Sequence, residues 1–360
     1  MKLLYITNGI NGSGGLERVL SVKASLLAEE FGYEVHLLSL NEIGRDPFFA
    51  FSRKIQRHSF AVSGNPLRYF FQYKNGIQKV IDEIQPDVIS VCDDGLKGFF
   101  LPRIMTTKAK WIYERHVSKL IELGANQNKI AFLTTKAKWL MMEQLGKRFN
   151  KFVVLTPGNT NEWPSLNNIG VIPNPLPFEP PTASSLENKT VICVGKISYQ
   201  KGQDLLLKAW EMVQRELPTW NLHLYGKEDL QFLDTRNLTN NVTHFPPAKN
   251  IEEKYLESSI YVMSSRFEGF GMVLIEAMAF GLPCVSFDCN YGPADIITDN
   301  KDGFLIDDGN IEQLASSLKL LISDFDLRQK MGHAARQKSK NYNGAAIVKQ
   351  WDELFKSLLR

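Results

Sequence analysis

The sequence alternates short apolar strands with amphipathic helices in two successive runs, and this alternation constrains the fold more than any other feature. The predicted strands are 2–7, 34–40, 87–92, 110–114 and 152–156 in the first run, and TVICVG, NLHLYG, NVTHF, SIYVM, PCVSF and GFLI in the second. The predicted helices are 16–31, 66–84, 126–146, 202–216, 250–257, 272–280, 310–322, 324–340 and 343–358. Strands that alternate with helices form parallel sheets covered on both faces. We therefore predict an α/β chain with two Rossmann-like, doubly wound domains in series.

A proline-rich segment separates the two runs. Residues 171–189 hold five prolines among polar residues, which is typical of an interdomain linker. We therefore place an N-terminal domain at 1–172, a linker at 173–189 and a C-terminal domain at 190–340. Because ligands bind at the carboxyl edges of parallel sheets, we expect the two domains to face a central cleft.

Composition excludes several classes of protein. Neither the apolar region of a signal peptide nor an apolar run of 18 residues is present, so we expect a cytoplasmic protein that is soluble or peripheral to a membrane. The four cysteines lack paired spacing, which predicts reduced thiols: Cys92, Cys193, Cys284 and Cys289. The six histidines show no ligand spacing, which argues against a protein-bound catalytic metal.

Two aspartate pairs require a metal-dependent transferase to be considered. Asp93 and Asp94 follow a predicted strand, and Asp324 and Asp326 form a D-x-D sequence. The second pair lies among the last predicted helices, where helix capping is the better explanation.

Basic residues are concentrated in one segment of the first run. Residues 97–151 contain twelve lysines and arginines against three acids. Aromatic residues are interleaved with them: Phe99, Phe100, Trp111, Phe132, Trp139 and Phe149. This composition suits an anionic membrane surface or a pyrophosphate-bearing lipid, and a solvated basic face explains it equally well. Nucleic acid is not expected as a partner, because no motif for it accompanies the charge.

The stretch SSRFEGFGMVLIEAMAFGLPC, residues 264–284, combines features that packing alone does not require. A strand ends at a serine pair, and the glycines of the following Gly269–Gly271 loop allow a ligand to approach the backbone closely. The helix after this loop is apolar except at Glu276, a buried carboxylate that needs partners. Glu268 lies just before the helix N-terminus, where free amides favour an anion or sugar hydroxyls. The alternative is that Glu268 is a solvated loop residue and Glu276 pairs with a core cation.

Three further positions are candidates for ligand contacts. The loop NGINGSGG has glycines that would admit a phosphate, but Glu17 occupies the position of a third small residue in a dinucleotide fingerprint. A nucleotide oxidoreductase is thus disfavoured, although Glu42 could imitate a ribose-binding acid. His116 follows a strand end, and Lys196 and Lys201 flank the start of a helix where both ammonium groups could meet a diphosphate. The alternative is that His116 has only a structural hydrogen bond and that Lys196 and Lys201 are ordinary surface lysines.

Several motifs in order resemble the retaining GT-B glycosyltransferases of family 4. The spacing of Glu268 and Glu276 matches its E-x7-E motif, and Gly14, Gly15 and Arg18 match its G-G-x-x-R element. The stretch from Lys196 to Gly202 resembles R/K-x4-K-G with lysine in place of arginine, and His116 resembles the family histidine. Two further stretches are similar to family elements: CNYGPADII, to one common in users of UDP-hexoses or UDP-N-acetylhexosamines, and LTPGNTNEW, to one of bacterial hexosyltransferases that build surface glycans.

The resemblance implies roles for these residues. Glu268 and His116 would contact the donor sugar, Glu276 the ribose, and Lys196 and Lys201 the diphosphate. Further donor contacts are implied for Gly14, Gly15, Arg18, Gly269, Phe270, Gly271, Met272 and Val273. The final helix, within 341–360, would cross back to the N-terminal domain.

The predicted function is a metal-independent, retaining transfer of a hexose or N-acetylhexosamine from a UDP-sugar, with no cofactor. The acceptor would be a hydroxyl of a growing surface glycan, such as a polyprenyl-diphosphate-linked one in lipopolysaccharide or capsule synthesis. GDP-mannose as donor, a GT-B epimerase, an oxidoreductase and a sugar-binding protein are the alternatives. The sequence does not decide between front-side attack and a covalent intermediate.

Overall fold

The computed structural model describes residues 1–93, 95–123, 129–238 and 241–360. It divides into two compact units. The first unit comprises Met1–Pro177 and Gly344–Arg360, and the second comprises Phe178–Asn343. In sequence, the second unit is therefore inserted into the first.

The first unit is built on a parallel sheet. Its described elements are β1 Lys2–Thr7, α1 Gly15–Glu29, β2 Glu34–Leu40, β3 Gln56–Phe60, α2 Pro66–Ile84, β4 Val88–Cys92, α3 Leu96–Phe99, α4 Leu101–Ile104, β5 Lys110–Glu114, α5 Lys129–Gly146, β6 Lys151–Val154, β7 Ile169–Val171 and α12 Gly344–Leu359. The strand order is β3-β2-β1-β4-β5-β6-β7. The predicted strands and helices are confirmed to within a few residues, and residues 126–128 of one predicted helix lie outside the described residues.

Both faces of this sheet are buried, which explains the continuous apolar strands. Along β1, Leu4 and Ile6 pack into a core cluster with α2 and α5, whereas Leu3 and Tyr5 pack into a second cluster with α1 and α12. Side chains alternate along a strand, so a strand with helices on both sides needs apolar residues at every position.

The sequence analysis missed two strands of this sheet, β3 and β7. β3 lies at the sheet edge and reads QRHSF, with no fully buried residue. β7 forms the other edge and has three residues, none of them fully buried. A partly solvated edge strand needs no apolar run, so neither left the pattern on which the prediction depended.

The second unit repeats the architecture with a smaller described sheet. Its elements are β8 Thr190–Val194, α6 Gln203–Glu216, β9 Asn221–Tyr225, β10 Val242–Phe245, α7 Ile251–Leu256, β11 Ile260–Met263, α8 Met272–Ala279, β12 Cys284–Phe287, α9 Pro293–Ile296, β13 Gly303–Ile306, α10 Ile311–Ser323 and α11 Phe325–Ser339. The strand order is β10-β9-β8-β11-β12-β13, all parallel. The prediction of an α/β chain with two doubly wound domains is confirmed.

Helix α12 packs in the first unit, against α1. Trp351 and Phe355 are buried in the same cluster as Leu20 and Leu27. The hydroxyl of Tyr33 donates to the carboxylate of Asp352 at 2.8 Å. Within the described ranges, no helix has the length and apolar character to cross a membrane.

Candidate active site

In the second unit, the turn between β8 and α6 lies directly against the strand end that precedes α8. Gly202 caps α6 with φ +64°, and a β-carbon added there would lie 2.0 Å from the carbonyl oxygen of Ser264. Only glycine fits a left-handed position with so close a neighbour. This contact brings the first turn of α6 beside the residues that follow β11.

Glu268 lies at this junction and is ion-paired. It is 5% exposed, and its Oε1 accepts hydrogen bonds from Lys201 Nζ at 2.5 Å and from the Ser265 hydroxyl at 2.6 Å. The Lys201 side chain is 21% exposed, so the ammonium lies at the edge of the buried region. Glu268 is therefore a buried carboxylate that is ion-paired with Lys201, and its interpretation as a solvated loop residue is wrong.

Lys196 points to a different carboxylate. Its side chain is 57% exposed, and its ammonium lies 3.7 Å from the carboxylate of Asp229. The two lysines predicted to act on one diphosphate thus have different carboxylate partners in this structure, Glu268 for Lys201 and Asp229 for Lys196. Both contacts leave ammonium groups on flexible stems that can exchange one anion for another.

The glycine loop before α8 also depends on close backbone contacts. Gly271 has φ +95° and precedes the first helical residue, Met272. A β-carbon on Gly292, where φ is +115°, would lie 2.1 Å from the carbonyl oxygen of Phe270. Gly269 and Phe270 are buried, while Met272 and Val273 are partly exposed in the first turn of α8. These contacts fix the N-terminus of α8 next to Glu268.

Glu276 lies on α8 and is 3% exposed. Its Oε2 accepts a hydrogen bond from the hydroxyl of Tyr255 at 3.0 Å. The hydroxyl of Tyr255 is thus one partner of this buried carboxylate, and it is neutral. The ribose contact implied for Glu276 stays a prediction.

The cysteines of this unit are structural. Burial raises the pKa of the Cys193 thiol to about 12, and burial also raises the pKa of Cys284 and Cys289. They are therefore neutral thiols at physiological pH, which is the opposite of an activated nucleophile. All four cysteines are free and buried, as predicted.

In the first unit, the chain's own carboxylates line the glycine-rich loop. Glu42 accepts hydrogen bonds from the backbone N–H groups of Ile10 and Asn11 at 2.9 to 3.1 Å. The Glu17 carboxylate lies over Gly12 and Gly14, within 2.3 and 2.6 Å of where their β-carbons would be. Glu42 holds this loop in place, and the glycines leave room for Glu17.

The remaining loop candidates have other surroundings. Gly15 is the first residue of α1 and is exposed. The guanidinium of Arg18 lies 5.3 Å from the centre of the Phe49 ring. The donor contacts implied for Gly14, Gly15 and Arg18 stay predictions.

His116 belongs to a buried polar cluster at the carboxyl end of β5. Its Nε2 lies 3.0 Å from Oε2 of Glu114, which also accepts from the ammonium of Lys23. Ser90 donates to the other carboxylate oxygen at 2.6 Å. Burial alone would raise the pKa of Glu114, but Lys23 and His116 outweigh it and lower the pKa to about 2.

Sequence reasoning missed Glu114 and Lys23. Glu114 is the one acid in the apolar strand KWIYE, and Lys23 is a lysine on the buried face of α1. Each is a charge where the pattern requires an apolar residue, and that mismatch could have identified both as a buried pair.

One set of residues in this cluster has the chemistry of a metal site. Cys92, Glu114 and His116 offer ligand atoms within 4.8 Å of one another. The Lys23 ammonium, which is 0% exposed, already contacts Glu114. A divalent cation would have to displace this ammonium, so the residues do not fit a metal well.

The aspartate pairs have structural roles where they are described. Asp324 caps α11 and accepts from the N–H of Leu327 at 2.9 Å, as predicted. Asp93 is buried and accepts from Asn8 and from the N–H of Gly95. Asp94 lies outside the described residues.

Five of the six aromatic residues of the basic segment are buried or partly buried, which corrects the expectation that these aromatics as a group would face a membrane. Phe99, Trp111 and Phe149 are core residues, and Phe100 and Trp139 pack against the same cluster. They fill the space between the sheet and its helices. Among these six aromatics, all of them described, only Phe132 is exposed, at 40%.

Comparisons with known proteins identify relatives over the whole chain. Residues 178–338 match the family model described as glycosyl transferases group 1. The chain is 31% identical to an uncharacterized glycosyltransferase of Haemophilus influenzae, over 97% of this chain and 98% of that protein. It is 30% identical to the amylovoran biosynthesis glycosyltransferase AmsD of Erwinia amylovora, over 98% and 99%. Among solved structures it resembles Anabaena HepE in complex with UDP and glucose, with a TM-score of 0.78, 18% identity and coverage of 99% and 100%.

Proposed function

The chain belongs to the glycosyl transferases group 1 family and is a glycosyltransferase with the GT-B fold. We propose that it moves a hexose or N-acetylhexosamine from a UDP-sugar to a surface glycan, with retention of configuration. The observation that carries the proposal is the buried Lys201–Glu268 pair beside the N-termini of α6 and α8. Its relatives include proteins of surface-polysaccharide, teichoic-acid and lipopolysaccharide biosynthesis.

The second unit would bind the nucleotide diphosphate. Breaking the anomeric bond places negative charge on the leaving diphosphate, and preorganised cations and helix amides stabilise such charge. Lys201 and Lys196 supply the cations in this proposal, without a protein-bound metal. Because Lys201 leaves Glu268 when the diphosphate arrives, the carboxylate becomes available to sugar hydroxyls. HepE, a fold relative, binds UDP, which supports UDP as the nucleotide.

Isothermal titration with UDP and with GDP, each in excess EDTA, tests the donor proposal. We expect UDP to bind without added metal, and Lys201→Met to weaken binding strongly. Lys208→Met is the matched control, because Lys208 is an exposed lysine on the same helix α6. GDP binding in place of UDP would refute the UDP assignment.

The transfer itself is tested with UDP-hexoses and a lipid-linked or glycan acceptor. The anomeric proton coupling of the product, measured by NMR, reports the configuration of the new bond, and retention predicts an α-glycoside from an α-linked donor. An inverted product would refute the retaining mechanism. Conversion of the donor to its epimer without acceptor would refute the transferase assignment for this substrate.

We also propose that the first unit contacts an anionic membrane through the outer surface of α5, consisting of Ile130, Phe132, Leu133, Leu140 and Met141. Ile130, Leu133 and Leu140 are 74%, 64% and 64% exposed. They recur at helical spacing on the side of α5 opposite the buried Met142 and Leu145. An exposed apolar helix face of this kind is typical of an interfacial helix.

The charges around α5 support an anionic lipid surface as its partner. Four bases are exposed on or next to this helix: Lys129, Lys136, Lys147 and Arg148. Each of the three acids of residues 97–151 already forms an ion pair within the protein: Glu114 with Lys23, Glu122 with Lys138, and Glu143 with Lys119. These acids therefore do not neutralise the four exposed bases, and the solvent-facing surface of the segment is positively charged. A peripheral location on the inner face of the plasma membrane would bring the enzyme to a lipid-linked acceptor.

Vesicle sedimentation tests the membrane proposal. We expect binding to vesicles with 30% anionic lipid, and loss of this binding in Leu133→Glu/Leu140→Glu. The control Leu320→Glu changes a leucine with 47% exposure on α10 of the second unit. Equal binding by all three proteins would refute the assignment to α5, and self-association abolished by the double variant would identify a second copy as the partner instead.

A further inference from the structure

His116 has one nitrogen with a partner and one without. Nε2 lies 3.0 Å from the Glu114 carboxylate. Nδ1 is buried and has no hydrogen-bond partner among the described residues, and the side chain as a whole is 4% exposed. A buried polar atom without a partner is unfavourable, so such an atom indicates a site for a ligand or an ordered water.

The environment of Nε2 determines what Nδ1 can do. An ionised carboxylate only accepts hydrogen bonds, and the low pKa of Glu114 keeps it ionised. Nε2 must therefore carry the proton. In a neutral imidazole the other nitrogen then has a free lone pair and acts as an acceptor.

Lys23 determines the charge of this cluster. Its ammonium is fully buried, contacts Glu114, and lies 4.0 Å from the centre of the Trp351 ring and 5.0 Å from that of Tyr5. The negative charge of Glu114 is already balanced by Lys23, so the cluster does not need a positively charged imidazolium. The Ser90 hydroxyl holds the second carboxylate oxygen and limits its rotation.

We propose that Lys23 and Glu114 are positioning residues that hold His116 as the neutral Nε2–H tautomer, so that Nδ1 accepts a hydrogen bond from a sugar hydroxyl of the substrate. This inference rests on the proposed function, in which His116 contacts a sugar. The hydroxyl belongs either to the donor or to the acceptor, and both present the same chemistry. The buried contacts of Glu114 with Lys23 and with Nε2 of His116 favour this tautomer whichever sugar is bound.

Two isosteric substitutions distinguish the nitrogens. The amide of His116→Asn overlaps the position of Nδ1, whereas that of His116→Gln overlaps the position of Nε2. We expect His116→Asn to be less active than wild type but more active than His116→Gln, because only the Asn amide can still accept from the sugar hydroxyl. His116→Gln keeps the contact to Glu114 but should lose about fivefold or more, the factor expected for one hydrogen bond. The reverse order of the two variants would overturn the proposal.

The kinetic parameters locate the hydroxyl. If it belongs to the donor, His116→Gln also slows the acceptor-independent hydrolysis of UDP-glucose. If it belongs to the acceptor, hydrolysis is unchanged and only transfer slows. Either result supports the proposal, and no change in both reactions would overturn it.

Nitrogen-15 NMR of labelled histidine reads the tautomer without any assay of activity. We expect the wild type to show a protonated Nε2 and an unprotonated Nδ1 for His116, assigned by loss of the signals in His116→Asn. In Lys23→Met/Glu114→Leu, which removes both charges together, the two tautomers should mix. A wild-type Nδ1 that carries a proton would overturn the inference.

The double variant also separates positioning from folding. A well-packed apolar pair can replace a buried ion pair without loss of stability, so its circular dichroism and UDP affinity should match those of wild type. Transfer should nevertheless fall about fivefold or more. Failure of the wild type to bind UDP would refute the donor proposal but leave the NMR result intact, so the two failures are distinguishable.

Discussion

Replacement of Lys201 by methionine should separate the structural and functional roles of the Lys201–Glu268 pair. The substitution leaves Glu268, which is 5% exposed, with a hydrogen bond from the Ser265 hydroxyl but without its cation. Breaking a fully buried pair by removing one partner costs about 3–5 kcal/mol. Because the Lys201 side chain is 21% exposed and water reaches it, we expect about 2 kcal/mol instead. For a unit of this size, that loss lowers Tm by roughly 4–8 °C.

The companion variant is Lys201→Met/Glu268→Gln. Glutamine still accepts the hydrogen bond from Ser265 and carries no charge, so most of the lost stability should return. The assay is thermal unfolding of wild type, both single variants and the double variant, which together form a double-mutant cycle. Lys208→Met again controls for loss of a lysine from α6.

Function should not return with stability. The double variant lacks both the cation proposed for the diphosphate and the carboxylate proposed for the sugar, so we expect a rate about a hundredfold to a thousandfold below wild type. If the double variant is restored in stability and also transfers at the wild-type rate, the pair is only structural and the proposed site is wrong. If Lys201→Met unfolds at the wild-type temperature, the reasoning on the buried carboxylate is wrong.

Four further outcomes are expected. Gly202→Ala should destabilise the second unit by about 3 kcal/mol or more, because its φ is +64° and the new β-carbon would meet the Ser264 carbonyl, while the control Gly309→Ala, with φ +75° and no atom within 4 Å, should cost about 1 kcal/mol; urea unfolding measures both. The pKa of Glu114 in the folded protein lies below its usual 4.5, so the ionised carboxylate stabilises the fold by about 3 kcal/mol above pH 4.5, and this contribution disappears as the pH falls towards 2. The urea midpoint of wild type should therefore fall between pH 7 and pH 3. That of Lys23→Met/Glu114→Leu should fall less. Tyr255→Phe should cost about 1–2 kcal/mol in thermal unfolding, because the Glu276 carboxylate loses a buried donor. Trp351→Ala should cost about 3–5 kcal/mol and Trp351→Phe much less, since the residue is 2% exposed between α12 and α1; equal values for the two would contradict this packing.

The buried strands could be predicted from sequence because each requires apolar residues on both faces. The edge strands β3 and β7 could not, since their side chains are partly solvated. Helix ends were predicted well where capping residues mark them, as Asn65 does for α2 and Asp324 for α11.

Lys201 and Glu268 could be chosen as candidates from the sequence, whereas Lys23 and Glu114 were missed and neither pairing could be predicted. Lys201 and Glu268 are 67 residues apart, and Lys23 and Glu114 are 91 apart. Which carboxylate each lysine meets depends on how the elements pack, for example on the contact between Gly202 and the Ser264 carbonyl. No local pattern records that contact. The sequence showed a lysine and a glutamate at useful places, and the packing made them partners.

The insertion of the second unit into the first has a consequence for biosynthesis. Tyr33 and Asp352, which form a hydrogen bond, are 319 residues apart, and α12 covers apolar residues of α1 such as Leu20 and Leu27. A ribosome makes the whole second unit after residue 177 and before α12. At roughly 5–20 residues per second, the stretch from the end of α1 at Glu29 to the start of α12 at Gly344 takes about fifteen to sixty seconds to make, and α1 is uncovered during that time. During that interval the nascent chain offers a hydrophobic surface to chaperones, and the second unit can fold before the first is complete.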